Sequence, residues 1–197
     1  MRLFVATVCS LLAAVLLAAC GDGADAPRFK LTDVTGAGFG RELSLTDHNG
    51  RPRTLADFHG KVVTVFFGFT HCPDACPTTL AEMAQLVKAL GPDGDRVQVL
   101  FVTVDPERDT QQALKRYVPS FNPAFLGLTG DLEATTRAAK EFKVYVQKQA
   151  VKDGDYSVDH SAGTFVFDRD GRLRLFAQYG QGAAAMLHDI RLLLAGA

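Results

Sequence analysis

Apolar and polar positions along the chain predict strands that alternate with helices. The run Val62–Phe69 is apolar on both side-chain faces, which suits a central strand of a parallel sheet with helices on either side. Apolar residues then recur at helical spacing over Leu80–Leu90, and a Gly-Pro pair ends this helix. A second core strand is predicted at Val97–Val104, where the pattern first alternates and then becomes continuously apolar.

The rest of the pattern predicts three hairpins, three more helices and one short strand. Alternating runs on either side of turn residues indicate the hairpins, and apolar residues at helical spacing indicate the helices. The hairpins are Leu43–Asp47 with Arg51–Leu55, Tyr145–Val151 with Tyr156–Val158, and Thr164–Asp168 with Arg172–Tyr179; the helices are Thr110–Val118, Asp131–Phe142 and Gly182–Leu194; the strand is Ala124–Leu128. This order implies an α/β fold with a mixed central sheet flanked by helices and an extra N-terminal hairpin.

Four polar residues beside these elements are given local interpretations. Asp109 is expected to cap the helix that begins at Thr110. His48 and His59 lie on or near turns, so we expect both to be solvated. Asp105 directly follows the second core strand, at the edge of the sheet where ligand sites of α/β proteins cluster. Support of a site and a plain turn are equally good interpretations of Asp105.

Length and charge bound the class of protein. The chain has 197 residues, of which 47% are hydrophobic and 22% charged, and this is enough for one well-buried domain. Its formal net charge of −1 gives no support for a general nucleic-acid binder. We therefore expect one globular domain, with no nucleic acid among its partners.

The N-terminal residues predict an export signal. Residues 3–19 are apolar and small, as in a secretory signal peptide, and Leu17-Ala18-Ala19-Cys20 resembles the bacterial lipobox. This resemblance implies a signal peptide at residues 1–19, lipidation of Cys20, and a tether at residues 20–38 ahead of a domain at residues 39–197. The alternatives are an uncleaved membrane anchor and, within the tether, an ordered arm at Phe29–Val34. Either form of attachment holds the domain outside the cytoplasm, which we interpret as the periplasmic side of a bacterial inner membrane.

Two cysteines remain for the folded part, Cys72 and Cys76, in the turn between the first core strand and its helix. A helix N-terminus is expected to lower the pKa of a nearby thiol. At a separation of four residues both sulfurs lie on one helix face, where they can hold one metal ion or form a disulfide. The alternative is two inert core thiols packed as small hydrophobic side chains. A lone pair in an oxidising compartment favours a function over a structural cross-link.

The order of elements is thioredoxin-like, and three sequence blocks resemble one family in particular. Thioredoxins place a cis-proline opposite the cysteines, whereas this chain has Val158-Asp159-His160-Ser161 in that neighbourhood. The three blocks are GFTHCPDACP at residues 68–77, VDPERDT at residues 104–110 and VDHS at residues 158–161. Together they resemble the signature blocks of the Sco/SenC family, over a region from about Phe39 to the C-terminus.

The Sco/SenC resemblance implies a membrane-tethered, thioredoxin-like protein that binds copper and helps to assemble cytochrome c oxidase. It implies copper ligands at Cys72, Cys76 and His160, and an acid at Asp105 that supports the site from outside the ligand set. Without the resemblance, His160 would be interpreted as a hydrogen-bonded core histidine. Thiolates select copper(I) and imidazole also suits copper(II), although zinc would accept the same set with a fourth ligand. His71 is interpreted as a supporting or surface residue.

Two functions of different classes follow from this resemblance. In the first, the chain is a copper metallochaperone rather than an enzyme, and it carries copper to the binuclear copper site of cytochrome c oxidase subunit II. Another periplasmic copper chaperone or a thiol reductase is a further partner. In the second, Cys72 and Cys76 form the redox-active disulfide of a thiol–disulfide oxidoreductase, and His160 is not required. A peroxiredoxin-like peroxidase is a weaker third function, because Thr70 lies two residues before Cys72 rather than three.

Overall fold

The computed structural model describes residues 28–151 and 155–197. The predicted signal peptide, the predicted lipidation site Cys20 and the turn at residues 152–154 lie outside the described residues. The strands are β1 (Thr32–Asp33), β2 (Ser44–Asp47), β3 (Pro52–Thr54), β4 (Val62–Gly68), β5 (Val97–Thr103), β6 (Leu126–Thr129), β7 (Val146–Ala150), β8 (Tyr156–His160), β9 (Gly163–Phe167) and β10 (Leu173–Gln178). The helices are α1 (Ala75–Ala89), α2 (Gln111–Tyr117), α3 (Leu132–Glu141) and α4 (Ala183–Ala195).

The two predicted core strands form the centre of the main sheet. Every residue of β4 and of β5 is buried, because helices cover both faces of these strands. The two strands pair in parallel, from Val62 opposite Val97 to Gly68 opposite Thr103. The predicted parallel pairing of these strands is therefore confirmed, and both strands end at the same edge of the sheet.

The remaining strands extend the sheet in both directions. The order of its eight strands is β1-β10-β9-β4-β5-β6-β2-β3. β6 continues the parallel part beside β5, whereas β9 pairs antiparallel with β4 and β10 antiparallel with β9. β2 and β3 form the predicted N-terminal hairpin at the far edge. The mixed α/β sheet with an added hairpin is thus confirmed.

Each face of the sheet has its own hydrophobic core. On one face, Leu80 and Met83 of α1 pack with Leu114 of α2 and Ile190 of α4. On the other face, Ala138 and Ala139 of α3 and the neighbouring Phe142 are buried with the alternate side chains of the same strands. Side chains of a strand alternate between faces, so β4 and β5 contribute to both cores. This placement leaves the carboxyl ends of β4 and β5 open to a functional site.

The hairpin of β7 and β8 lies apart from the main sheet as a two-stranded sheet of its own. Val146 pairs with His160 and Ala150 pairs with Tyr156. The main sheet resumes at Gly163, three residues after His160. The position of His160 therefore depends on how this hairpin is held against the rest of the domain.

The ordered arm at Phe29–Val34 is present. Thr32 pairs with Phe176 of β10, and the buried carboxylate of Asp189 accepts hydrogen bonds from the backbone N–H groups of Lys30 and Leu31 at 2.9 and 2.8 Å. These contacts hold the arm against β10 and the last helix, α4. Among the helices in the described part of the chain, none is both long and apolar enough to cross a membrane.

Two local expectations are wrong. Thr110, not Asp109, caps α2, and its hydroxyl accepts a hydrogen bond from the Ala113 backbone N–H at 3.2 Å. His48 is buried rather than solvated, because its backbone N–H donates to the carbonyl of Gly127 at 2.8 Å and its Nδ1 accepts from the Gly127 N–H at 3.0 Å. Both hydrogen-bond partners of His48 belong to Gly127 of β6, which is distant in the sequence, so the turn sequence around His48 does not reveal them. His59, by contrast, is exposed, as predicted.

Candidate metal centre

The cysteine turn lies where β4 gives way to α1. Cys72 is half-buried in the loop, while Cys76 is in the first turn of the helix and is fully buried. The backbone N–H of Cys76 donates to the sulfur of Cys72 at 3.5 Å, which holds the two residues close together. Both cysteines are free thiols. Cys72 is thus the sulfur within reach of solvent, and Cys76 is the sulfur beneath it.

The pKa of Cys76 departs from the expectation for a helix N-terminus. Burial raises the pKa of this thiol, and a hydrogen bond from the Phe69 backbone opposes the rise only in part. The expected lowering is therefore wrong for Cys76, because removal of the sulfur from water outweighs the helix dipole. Cys76 is a protonated thiol at neutral pH in the metal-free protein, and a bound cation would ionise it.

His160 lies at the end of β8, across from Cys76. Its Nε2 is 3.9 Å from the sulfur of Cys76, and its Nδ1 is 3.1 Å from the carbonyl oxygen of Ser161. Because a carbonyl can only accept, Nδ1 carries the proton and Nε2 presents its lone pair to the sulfur. Burial lowers the pKa of His160, so the imidazole is neutral at neutral pH. The ring is further held by edge contacts with Phe66 and Phe69.

These donors fit a soft metal ion. Metal–nitrogen and metal–sulfur bonds are about 2.0–2.3 Å long, so one ion can bridge the 3.9 Å between Cys76 Sγ and His160 Nε2. Within the described residues, no three His, Cys, Asp or Glu side chains are already gathered as a metal site. Recruitment of Cys72 as the third donor thus requires its side chain to move. The buried Tyr117 hydroxyl has no hydrogen-bond partner among the described residues, and its pKa is raised by burial and by the nearby cysteines.

Asp105 supports the site through other residues. Its buried carboxylate accepts from Arg108 Nε at 2.5 Å and from the Tyr156 hydroxyl at 2.7 Å. The Arg108 guanidinium lies 3.7 Å from the centre of the Tyr156 ring and also donates to the Tyr156 carbonyl at 2.9 Å. We call Asp105, Arg108 and Tyr156 the hairpin clamp. It fastens β8, and with it His160, to the loop that follows β5.

Sequence reasoning assigned no role to Arg108 or Tyr156. Arg108 lies in the quoted VDPERDT block, but its partner Tyr156 is 48 residues away and belongs to an unremarkable polar strand. The spacing of Asp105 and Arg108 could have indicated the ion pair between them, because opposite charges three residues apart can pair within one turn of the chain. Nothing local to Tyr156 indicates its role.

Asp109 holds the loop that carries the cysteines through hydrogen bonds from Thr70. Its buried carboxylate accepts from the Thr70 backbone N–H at 3.0 Å, the Thr70 hydroxyl at 2.6 Å and the Thr103 hydroxyl at 2.6 Å. Burial raises the pKa of the Asp109 carboxyl, and these hydrogen bonds oppose the rise. Asp109, which was predicted to cap a helix, therefore links Thr103 at the end of β5 to Thr70, two residues before Cys72.

Gly68 makes room for the buried sulfur, and we expect Gly68→Ala to lower copper affinity. A Cβ at residue 68 would lie 2.8 Å from Cys76 Sγ and 2.9 Å from the Phe101 ring, so the sulfur must shift. The overpacking should also lower the free energy of unfolding by about 1–3 kcal/mol. Urea unfolding and copper titration of the reduced protein measure both effects.

The control for this substitution is Gly38→Ala. A Cβ at residue 38 meets no atom within 4 Å, so neither property should change. A Gly68→Ala protein with the copper affinity of the Gly38→Ala protein would show that the sulfur of Cys76 does not need this space.

Known proteins resemble the chain along most of its length. Residues 32–195 match the family described as SCO1/SenC. "Protein SCO2 homolog, mitochondrial" from Mus musculus is 42% identical over 153 residues, which cover 76% of this chain and 60% of that protein. The chain spans about half the length of the corresponding relatives from Bos taurus and Homo sapiens.

Solved structures support the fold. Bradyrhizobium japonicum ScoI with copper bound is 40% identical, with a TM-score of 0.73 over 79% of this chain and 99% of that one. Apo Sco1 from Thermus thermophilus is 41% identical, with a TM-score of 0.76 over 87% of this chain and 100% of that one. The predicted thioredoxin-like fold is thereby confirmed.

Proposed function

This chain belongs to the SCO1/SenC family, and from that premise we propose that it is a copper metallochaperone for the assembly of cytochrome c oxidase. Cys72, Cys76 and His160 bind one copper ion in this proposal. The main observation behind this proposal is the distance of 3.9 Å between His160 Nε2 and Cys76 Sγ. The Nδ1–H of His160 donates to the Ser161 carbonyl, so Nε2 is the nitrogen that can bind the metal. A histidine that donates its other ring N–H to a carbonyl is arranged as metal ligands usually are.

The chemistry of this donor set suits a carrier of copper in both oxidation states. Two soft sulfurs favour copper(I), and the imidazole adds the nitrogen donor that copper(II) requires. Cys76 and His160 sit among Phe66, Phe69 and the clamped hairpin, which limits the access of water. Burial keeps the Cys76 thiol protonated until a cation arrives, so copper binding releases that proton to solvent.

The copper-bound state of the relative from Bradyrhizobium japonicum supports copper as the cargo. The receiving protein in this proposal is subunit II of cytochrome c oxidase, at its binuclear copper site. We further propose that Cys20 carries a lipid that anchors the domain on the periplasmic side of the inner membrane, and that another periplasmic chaperone or a thiol reductase prepares it. The lipobox-like Leu17–Cys20 is the observation that supports the anchor.

A second candidate function is thiol–disulfide exchange with the cysteines of the same oxidase subunit. The free thiols of Cys72 and Cys76 favour it, because one is within reach of solvent and the other lies directly behind. The Cys72 thiolate would attack a disulfide of the target, and Cys76 would then displace the target's thiol from the mixed disulfide. Cys72 and Cys76 are thereby oxidised to a disulfide, and their two electrons and two protons reduce the target's disulfide to two thiols.

Copper titration of the reduced protein tests the main proposal. We expect one tightly bound copper ion per chain, and we expect Cys76→Ser to lose it, since a hydroxyl is a poor donor for copper(I). A strain that carries only Cys76→Ser should assemble an oxidase without its binuclear copper, measured by oxidase activity and by copper per oxidase. Stoichiometric copper binding by Cys76→Ser, or no copper binding by the unaltered protein, would contradict the proposal.

A further inference from the structure

His71 adjoins the candidate metal centre in the sequence. The residue is exposed and directly precedes Cys72. Its Nδ1 lies 3.1 Å from the hydroxyl oxygen of Thr70. Within the described residues no group is hydrogen-bonded to its Nε2, so one ring nitrogen is held by the protein and the other is available to solvent.

The direction of the Thr70 contact fixes the tautomer of His71. The Thr70 hydroxyl has one proton, and it lies 2.6 Å from the buried Asp109 carboxylate, which also accepts from the Thr70 backbone N–H and from Thr103. The hydroxyl proton therefore goes to Asp109, and the same oxygen accepts from the His71 Nδ1–H. His71 Nε2 is left with a free lone pair, which is the form that binds metals.

His71 and His160 thus share one arrangement. Each donates its Nδ1 proton to an oxygen acceptor, the Thr70 hydroxyl for His71 and the Ser161 carbonyl for His160, and each leaves Nε2 as the donor atom. Such support for the distal nitrogen is typical of metal-binding histidines. For His71 this support extends inward to Asp109, so the ring is held by the interior of the domain.

Exposure separates the roles of the two histidines. Cys76 is fully buried, His160 and Cys72 are half-buried, and His71 is exposed. A copper ion that arrives from solvent can therefore reach His71 and Cys72 more readily than the buried Cys76. Resting on the function proposed above, we infer that His71 is an entry ligand, which takes copper(I) from a donor through Nε2 and passes it to the cysteines and His160.

The transfer is a series of ligand exchanges without any change in oxidation state. The bond between copper(I) and the donor's ligand breaks as the His71 Nε2–copper bond forms. The Cys72 sulfur then replaces Nε2, and the thiol proton of Cys72 goes to the buffer. His71 ends unbound, so its loss should slow copper exchange without weakening the final complex.

The test is the rate of copper(I) transfer from its bicinchoninate complex to the reduced, full-length protein, followed by stopped-flow absorbance without oxygen. We expect His71→Asn to slow transfer by about tenfold, the lower end of the cost of losing one partner at a metal site. Its equilibrium copper(I) affinity, measured by competition with the same chelator, should stay that of the unaltered protein, because His71 neither binds the ion in the final complex nor supports one of its ligands.

Asparagine separates ligation from a structural role. Its side-chain amide can still donate to the Thr70 hydroxyl, but it has no atom in the place of Nε2. His59→Asn, at another exposed histidine, is the matched control and should transfer copper at the unaltered rate. In the metal-free protein, nitrogen NMR should find Nδ1 of His71 protonated.

A His71→Asn protein that takes up copper(I) as fast as His59→Asn would overturn the inference, as would an Nε2-protonated His71 in the metal-free protein. Slow transfer together with a large loss of affinity would also overturn it, because His71 would then belong to the final ligand set. Failure of the unaltered protein to bind copper would instead refute the proposed function, so the two failures are distinguishable.

Discussion

His160→Ala is expected to abolish tight copper(II) binding and oxidase assembly while the Cys72–Cys76 pair remains able to cycle between thiols and disulfide. His160 supplies the nitrogen donor of the proposed site, and copper(II) depends on such donors more than copper(I) does. The affinity for copper(II) should fall by more than the roughly 10–100-fold typical of a change outside the ligand set. Copper(I) can still be held between the two sulfurs, so its affinity should fall less.

Two measurements on one variant separate the candidate functions. One is copper(II) affinity of the reduced protein, and the other is oxidase activity in a strain that carries only His160→Ala. Cys72→Ser and Cys76→Ser cannot discriminate, because both candidate functions use both sulfurs. His59→Ala, at an exposed histidine, is the control. Normal copper binding and a fully active oxidase with His160→Ala would refute the chaperone proposal and favour thiol–disulfide exchange.

The central strands and the cysteine turn could be predicted because their signals are local. Val62–Phe69 is apolar on both side-chain faces, and Val97–Val104 alternates and then becomes mainly apolar, as is typical of strands buried on both faces. The position of Cys72 and Cys76 between a strand and a helix follows from the same pattern. His160 could be placed only through the family resemblance, since a single histidine in a polar stretch carries no signal of its own.

The supporting residues could not be predicted because their partners are distant in sequence. Asp109 accepts a hydrogen bond from Thr70, which lies 39 residues earlier in the chain. The local sequence indicates only that Asp109 caps the helix that begins at Thr110. His48 meets Gly127 across 79 residues, and no turn rule contains that contact. The raised pKa of the Cys76 thiol likewise depends on burial by the folded domain, which overrides the local effect of the helix terminus.

Asp105 shows how the family resemblance and the geometry complement each other. The resemblance marks an acid outside the ligand set, but it does not say what the acid does. In the structure the carboxylate binds Arg108 and Tyr156, and therefore acts on His160 through the β7–β8 hairpin. The clamp makes the third proposed ligand dependent on the ion pair between Arg108 and Asp105.

Arg108→Ala is accordingly expected to destabilise the domain and to loosen the metal site. Loss of the guanidinium leaves the buried Asp105 carboxylate without its counter-charge, which typically costs about 3–5 kcal/mol. The hairpin also loses the contact of the cation with the Tyr156 ring. With β8 free to move, copper(II) affinity should fall by about 10–100-fold, as for loss of support to a metal ligand. Denaturant unfolding of the metal-free protein and copper(II) titration measure the two effects.

Two further variants define what the clamp does. Tyr156→Phe keeps the ring beneath Arg108 but removes the hydroxyl that donates to Asp105, so its cost should be smaller, about 1–3 kcal/mol. Arg137→Ala breaks only an exposed ion pair with Glu133 and should cost no more than about 1 kcal/mol. If Arg108→Ala lowers stability but folded protein still binds copper(II) with unaltered affinity, the clamp supports the fold without positioning His160. If it changes neither property, the ion pair between Arg108 and Asp105 has no role in holding the hairpin, and His160 must owe its place beside Cys76 to its other contacts, which include its pairing with Val146 and the packing of Phe66 and Phe69.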